Sequence, residues 1–169
     1  NIVRLNSGKL VAYWENDADD PSCSNSTTNG IIWSAMSSAA AATSDMAMAT
    51  NGSSILYVAM GLTGAGDPSY LLNKSEGCGM SGTWTDVVAG TLYRPDIVYD
   101  GFYNTYVLCT IGSSSNDPFF AYTTAATPGN NLSWTTVDPG ITATADSCSI
   151  DVNDNGNVFV ASDEATGIR

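Results

Sequence analysis

Histidine is absent from the 169 residues, and only five lysines and arginines stand against 17 aspartates and glutamates. Without histidine there is no Ser-His-Asp triad, no imidazole general base and no histidine ligand for zinc. Any chemistry therefore falls to carboxylates, Tyr, Arg or Cys. A net charge of −12 removes the clustered cations that bind phosphate and release counterions, so nucleic acid is not an expected partner and anionic membrane surfaces are disfavoured. No apolar run is long enough to cross a bilayer, and no membrane insertion is expected. No signal peptide or lipidation motif is present and the first residue is Asn, which suits a mature or excerpted segment.

What remains is a chain rich in Gly, Ser, Thr, Asn and Asp, of which 43% is hydrophobic and 13% charged. That is too apolar for disorder and matches short strands joined by many turns, an all-β class. Cys23, Cys78, Cys109 and Cys148 lie far apart with no C-x-x-C pair, which disfavours a zinc ribbon or a thioredoxin-like motif. Two disulfides, or one with free thiols, fit equally, and spacing favours none of the possible pairings. Cys109 follows Tyr106, Val107 and Leu108 in an apolar strand, where a buried free thiol is the alternative.

The organising feature is a self-similarity with a period of roughly 50 residues, as in propeller blades or other repeat arrays. Four hairpins superpose: Asn1 to Asn16, Asp45 to Gly61, Asp96 to Gly112 and Ser149 to Asp163. Their turns carry Ser7-Gly8, Asn51-Gly52, Asp100-Gly101 and Asn155-Gly156, pairs suited to the positive φ of tight hairpins. Third strands are expected over Gly30 to Ser37, Ser69 to Ser75, Pro118 to Thr124 and, incomplete, Thr166 to Arg169. Fourth strands with a tryptophan are expected over Gly82 to Val88 and Leu132 to Val137. In the first repeat Ser38 to Thr43 takes that place, with a helical turn over Ala39 to Ala42 as the alternative. The repeats occupy 1–43, 44–92, 93–142 and an incomplete 143–169. Four antiparallel strands per unit point to about three and a half blades of a β-propeller, with a two-sheet β-sandwich as the alternative.

At this level the chain resembles the sialidase-like propellers with Asp-box repeats, in which a Ser-x-Asp-x-Gly-x-Thr-Trp turn links third and fourth strands. The better match runs from Ser75 through Gly79 to Thr83-Trp84, and a second from Thr123 to Trp134 keeps the polar, Gly-containing turn and the Trp without the Asp. Such a turn pins the hairpin while Trp84 and Trp134 pack between sheets. Leu92-Tyr93-Arg94-Pro95-Asp96 resembles the Tyr-Arg-Ile-Pro motif of sialidases with the Ile missing. It is also similar to the Pro-Asp-Val strand starts of arabinanase- and xylosidase-type glycoside hydrolase propellers. The first likeness implies that Arg94 binds a substrate carboxylate, the second that Asp96 tunes a catalytic acid.

Arg94, Asp96 and Tyr93 are thus the candidate ligand-binding residues, with Asp96 and Arg94 the candidate catalytic pair. The competing reading is a structural Arg or Asp contact between blades. Glycosidases need two carboxyl groups across the scissile bond, and Glu15, Asp17, Asp19, Asp20, Asp45, Asp96 and Asp146 are available. A sialidase site also needs three clustered arginines, whereas the chain has only Arg4, Arg94 and Arg169. Asp151, Asn153 and Asn155 match the first half of a calcium loop, but Ser162 stands at the twelfth position and a metal-free turn is the stronger reading. No cofactor is expected beyond calcium, to which the loop from Glu15 to Asp20 offers further oxygens. With the catalytic set incomplete, the expected role is an extracellular or surface module that binds a glycan or another protein copy. A glycoside hydrolase and a filament or virion subunit are the alternatives.

Overall fold

A computed structural model describes residues 1–16, 20–38, 45–60, 67–73, 78–80, 83–88, 92–112, 117–124, 132–138, 145–164 and 167–168. They form four antiparallel sheets in chain order, with no helix among the described residues. The first sheet contains β1 (Ile2–Arg4), β2 (Leu10–Glu15), β3 (Pro21–Ser26) and β4 (Ser37–Ser38). The second contains β5 (Met46–Thr50), β6 (Ile55–Met60), β7 (Pro68–Asn73) and β8 (Thr85–Asp86). The third contains β9 (Leu92–Asp100), β10 (Thr105–Gly112), β11 (Pro118–Thr124) and β12 (Thr135–Val137). The fourth contains β13 (Ala145–Val152), β14 (Val158–Glu164) and β15 (Gly167–Ile168). In every sheet each strand pairs with its successor, and there are four sheets where a sandwich has two.

Three apolar cores lie in series between consecutive sheets. Val11, Tyr13 and Cys23 meet Met48, Ile55 and Tyr57 in the first; Leu56, Val58 and Tyr70 meet Ile97, Tyr106 and Leu108 in the second; Cys109, Ile111 and Phe120 meet Cys148 and Ile150 in the third. Alternation along each strand explains the series, because successive side chains point to opposite faces. The unbroken run Ile55 to Met60 is buried throughout, Ile55 and Tyr57 entering the first core and Leu56 and Val58 the second. The first strands of successive sheets touch one another in order, β1 to β5 to β9 to β13.

The hairpin turns of neighbouring sheets also touch. Asn6 N–H donates to Gly52 C=O at 2.8 Å. Gly52 has φ +88°, which favours glycine, and a Cβ there would sit 2.5 Å from the Asn6 side chain and displace it. In the third hairpin the left-handed residue is Asn104 at φ +53°, not the Gly101 that the Asp100-Gly101 pair suggests.

One strand is displaced from its expected place. The third strand of the first repeat is Pro21–Ser26, whereas 30–36 is irregular and Ile31, Ile32 and Met36 are exposed. The polar run can be a buried strand because its hydroxyls are satisfied: Ser22 Oγ meets Ser38 Oγ at 2.8 Å and Ser24 Oγ donates to Ser34 C=O at 2.8 Å. The apolar run turns instead at Asn29 and Gly30, both at positive φ. The alternative helical turn over Ala39 to Ala42 lies outside the described residues.

Tyr57 is fully buried and its hydroxyl has no hydrogen-bond partner among the described residues. Removing an unsatisfied buried hydroxyl relieves its desolvation penalty, so Tyr57→Phe raises the unfolding free energy by about 1 kcal/mol. Burial also lifts the Tyr57 phenol above its ordinary value of 10.0. The stability carried by that neutral phenol is complete below the unfolded value and is lost as pH rises towards the folded one. Urea titrations at about pH 8 and about pH 11 therefore show a smaller alkaline loss in the variant than in the native chain.

Candidate functional site

Strand β9 carries the predicted site, and its start is irregular. Asp96 pairs with Cys109 and Tyr93 with Ile111, with a register shift between, at Arg94 and Pro95. Proline has no N–H for the ladder, and Arg94 takes φ +53°, so the strand bulges here. The bulge turns Arg94 towards both neighbouring sheets. Its N–H donates to Asp45 Oδ2 at 3.0 Å, just ahead of β5, and its guanidinium donates to the Asp146 carbonyl on β13. The guanidinium carbon also lies 5.6 Å from the Tyr93 ring centroid, within cation–π range.

Asp96 is spent on the junction between the third and fourth sheets. Its Oδ2 accepts from Ile150 N–H at 2.9 Å and from Ser149 Oγ at 3.0 Å, while Oδ1 accepts from the N–H of Ile97 at 3.0 Å. On the side of the first sheet stands Tyr13, whose hydroxyl donates to Met46 C=O at 2.9 Å and accepts from Asn1 Nδ2 at 2.9 Å. Burial raises the Tyr13 pKa, the Asn1 hydrogen bond opposes this, and the negative charge of Asp96 adds to the rise. Groups from all four sheets thus gather where the first strands begin.

The structure brings together Tyr93, Arg94, Asp96, Asp45 and Asp146 from the sequence-based set. Arg4 stands apart, its guanidinium on Gly8 C=O in the first hairpin turn. Asp17, Asp19 and Arg169 lie outside the described residues. Tyr13, Asn1 and Ser149 are the members that sequence reasoning missed. Tyr13 reads there as one more apolar strand residue, and its link to Asp96 crosses two repeats.

The Asp151 to Gly156 segment is a hairpin turn. Asn153 Oδ1 accepts from Asn155 N–H and Asn157 N–H, each at 3.0 Å, so the oxygen a cation would use already serves the backbone. Asp151 Oδ1 accepts from Val152 N–H at 2.8 Å. Among the described residues no group of three Cys, Asp or Glu side chains stands close enough to hold a metal ion.

The cysteines pair as Cys23 with Cys78 and Cys109 with Cys148, leaving no free thiol. Each bridge joins consecutive sheets across a core, and such bonds persist in oxidising compartments. Trp84 and Trp134 pack against the first and second cores, with no partner for either indole N–H among the described residues. Much of the Asp-box-like turn ahead of each lies outside the described residues. No helix among the described residues is long and apolar enough to cross a membrane. No protein-family model matches the chain, and a search of curated proteins finds no match.

Proposed function

We propose that the chain is about three and a half blades of an extracellular β-propeller, acting as a binding or architectural module whose loop ends meet a glycan or another protein. The observation that carries the reading is the use to which Arg94 and Asp96 are put: both hold neighbouring sheets together through their hydrogen bonds. The serial cores and the adjacent first strands support blades around a common axis, and the two disulfides support an oxidising location. Architecture alone does not assign chemistry, since the same folds host many activities.

Chromogenic sialosides, arabinofuranosides and xylosides incubated with the protein test the reading against a glycoside hydrolase. The expected result is no turnover above buffer, with binding to a glycan array or a protein partner instead. Turnover that disappears in Asp96→Asn at an unchanged melting temperature would sink the proposal and restore the catalytic role.

A further inference from the structure

The first strands begin together, where Arg94 meets Asp45 and Asp146, so the hairpin turns that end them gather at the opposite end of the sheets. Three of those turns are polar, reading Asn-Ser-Gly over 6–8, Asn-Gly-Ser-Ser over 51–54 and Asp-Asn-Gly-Asn over 154–157. The turn of the third sheet instead reads Gly-Phe-Tyr-Asn over 101–104, and Phe102 and Tyr103 are 63% and 62% exposed.

The aromatic pair is held in place. Oδ1 of the buried Asp100 accepts from Phe102 N–H at 2.8 Å and from Tyr103 N–H at 3.2 Å. Thr105 Oγ1 donates to Tyr103 C=O at 3.0 Å, and Asn104 Oδ1 accepts from the Tyr99 hydroxyl at 2.8 Å. The two rings meet edge to face with centroids 4.8 Å apart. On the neighbouring turn Gly156 has φ +75°, and a Cβ there would lie 2.6 Å from the Tyr103 ring and 3.2 Å from that of Phe102. Beside it, the Asn155 side-chain amide has no partner among the described residues.

The exposure belongs to the turn itself. At the second junction the stretch ahead of the next sheet's fourth strand closes on the interior. There Leu132 N–H donates to the Tyr70 hydroxyl at 2.7 Å, and the rings of Tyr70 and Trp134 lie with centroids 5.9 Å apart. The turn tip of that second sheet is met by another turn, through Asn6 on Gly52.

We propose that Phe102 and Tyr103 form a stacking platform for an uncharged pyranose ring of a glycan, with the Asn155 amide at its rim to bind hydroxyls. The negative face of an aromatic ring attracts the polarised C–H groups on the apolar face of a sugar. Exposed to this degree, the two rings offer roughly 250 Å², which suits one or two sugar rings and falls well below the roughly 800 Å² that each partner buries in a protein interface. Rings already ordered by their turn lose little freedom on binding. A net charge of −12 repels sialic and uronic acids, as it repels a second copy of the chain. The inference deepens the binding-module reading and rests on it, naming the site and the ligand class.

The test is calorimetric titration of the intact protein with cellopentaose, mannopentaose and chitopentaose, and with an oligogalacturonate as the anionic control. Saturable binding of at least one neutral probe, with a Kd of about 1 mM or below, is expected. Phe102→Ala weakens it at least about tenfold at an unchanged melting temperature, because the side chain is exposed, and Phe102→Trp retains it. No binding of any neutral probe overturns the inference while leaving a protein partner to satisfy the broader reading. Equal binding by Phe102→Ala, loss of binding in Phe102→Trp, or tighter binding of the anionic control overturns it too and leaves a glycan bound elsewhere. Turnover of a glycoside would sink the broader reading, a result that none of these titrations reproduces.

Discussion

Replacing Cys23 and Cys78 together by alanine lowers the unfolding free energy by about 4 kcal/mol. The bridge spans a sequence separation of 55 residues, and in the chain-entropy account the loss is the loop-closure entropy returned to the unfolded chain. Domains hold only about 5–15 kcal/mol in total, so the variant sits near the threshold for folding. Cys109 and Cys148, separated by 39 residues, give nearly the same loss because the dependence on loop length is logarithmic. Guanidinium titrations of both double variants check this. Losses below about 1 kcal/mol in each would show that the bridges constrain the unfolded chain far less than their separations demand.

Asp96→Ala costs about 3 kcal/mol. The substitution removes a carboxylate acceptor from Ser149 and Ile150 on the neighbouring sheet and from the N–H of Ile97. Ile150 is buried in the third core, so its freed N–H has little access to water. Asp96→Asn keeps one oxygen and the side-chain shape, and its loss is smaller. Thermal and urea denaturation of the two variants measure the difference. A melting temperature unchanged in Asp96→Ala would free the carboxylate from its structural role and reopen it to chemistry.

The repeat was legible because it is written in turn residues and alternating apolar strands, features that depend on near neighbours. The hairpins at β5–β6 and β9–β10 and the third strand Pro118–Thr124 follow from that pattern. Pro21–Ser26 escaped it because its strand conformation depends on hydroxyl partners in 34 and 38, not on apolar alternation. The same distinction divides the site. Arg94 and Asp96 stand out as a charged pair flanking a proline, but what they do is decided by Asp45, Asp146 and Ser149, about one repeat away. The disulfide pairing was closed to spacing arguments for a related reason: Cys23 meets Cys78 only once two sheets have stacked.

The placement of those bridges gives the molecule an uneven response to tension. Tension along the chain is carried across the first junction by Cys23–Cys78 and across the third by Cys109–Cys148, and residues inside each loop are shielded from stretching. The second junction, held by Tyr70 on Leu132 and by Arg94 on Asp45, has no covalent bypass. Tension across that junction is borne by non-covalent contacts alone.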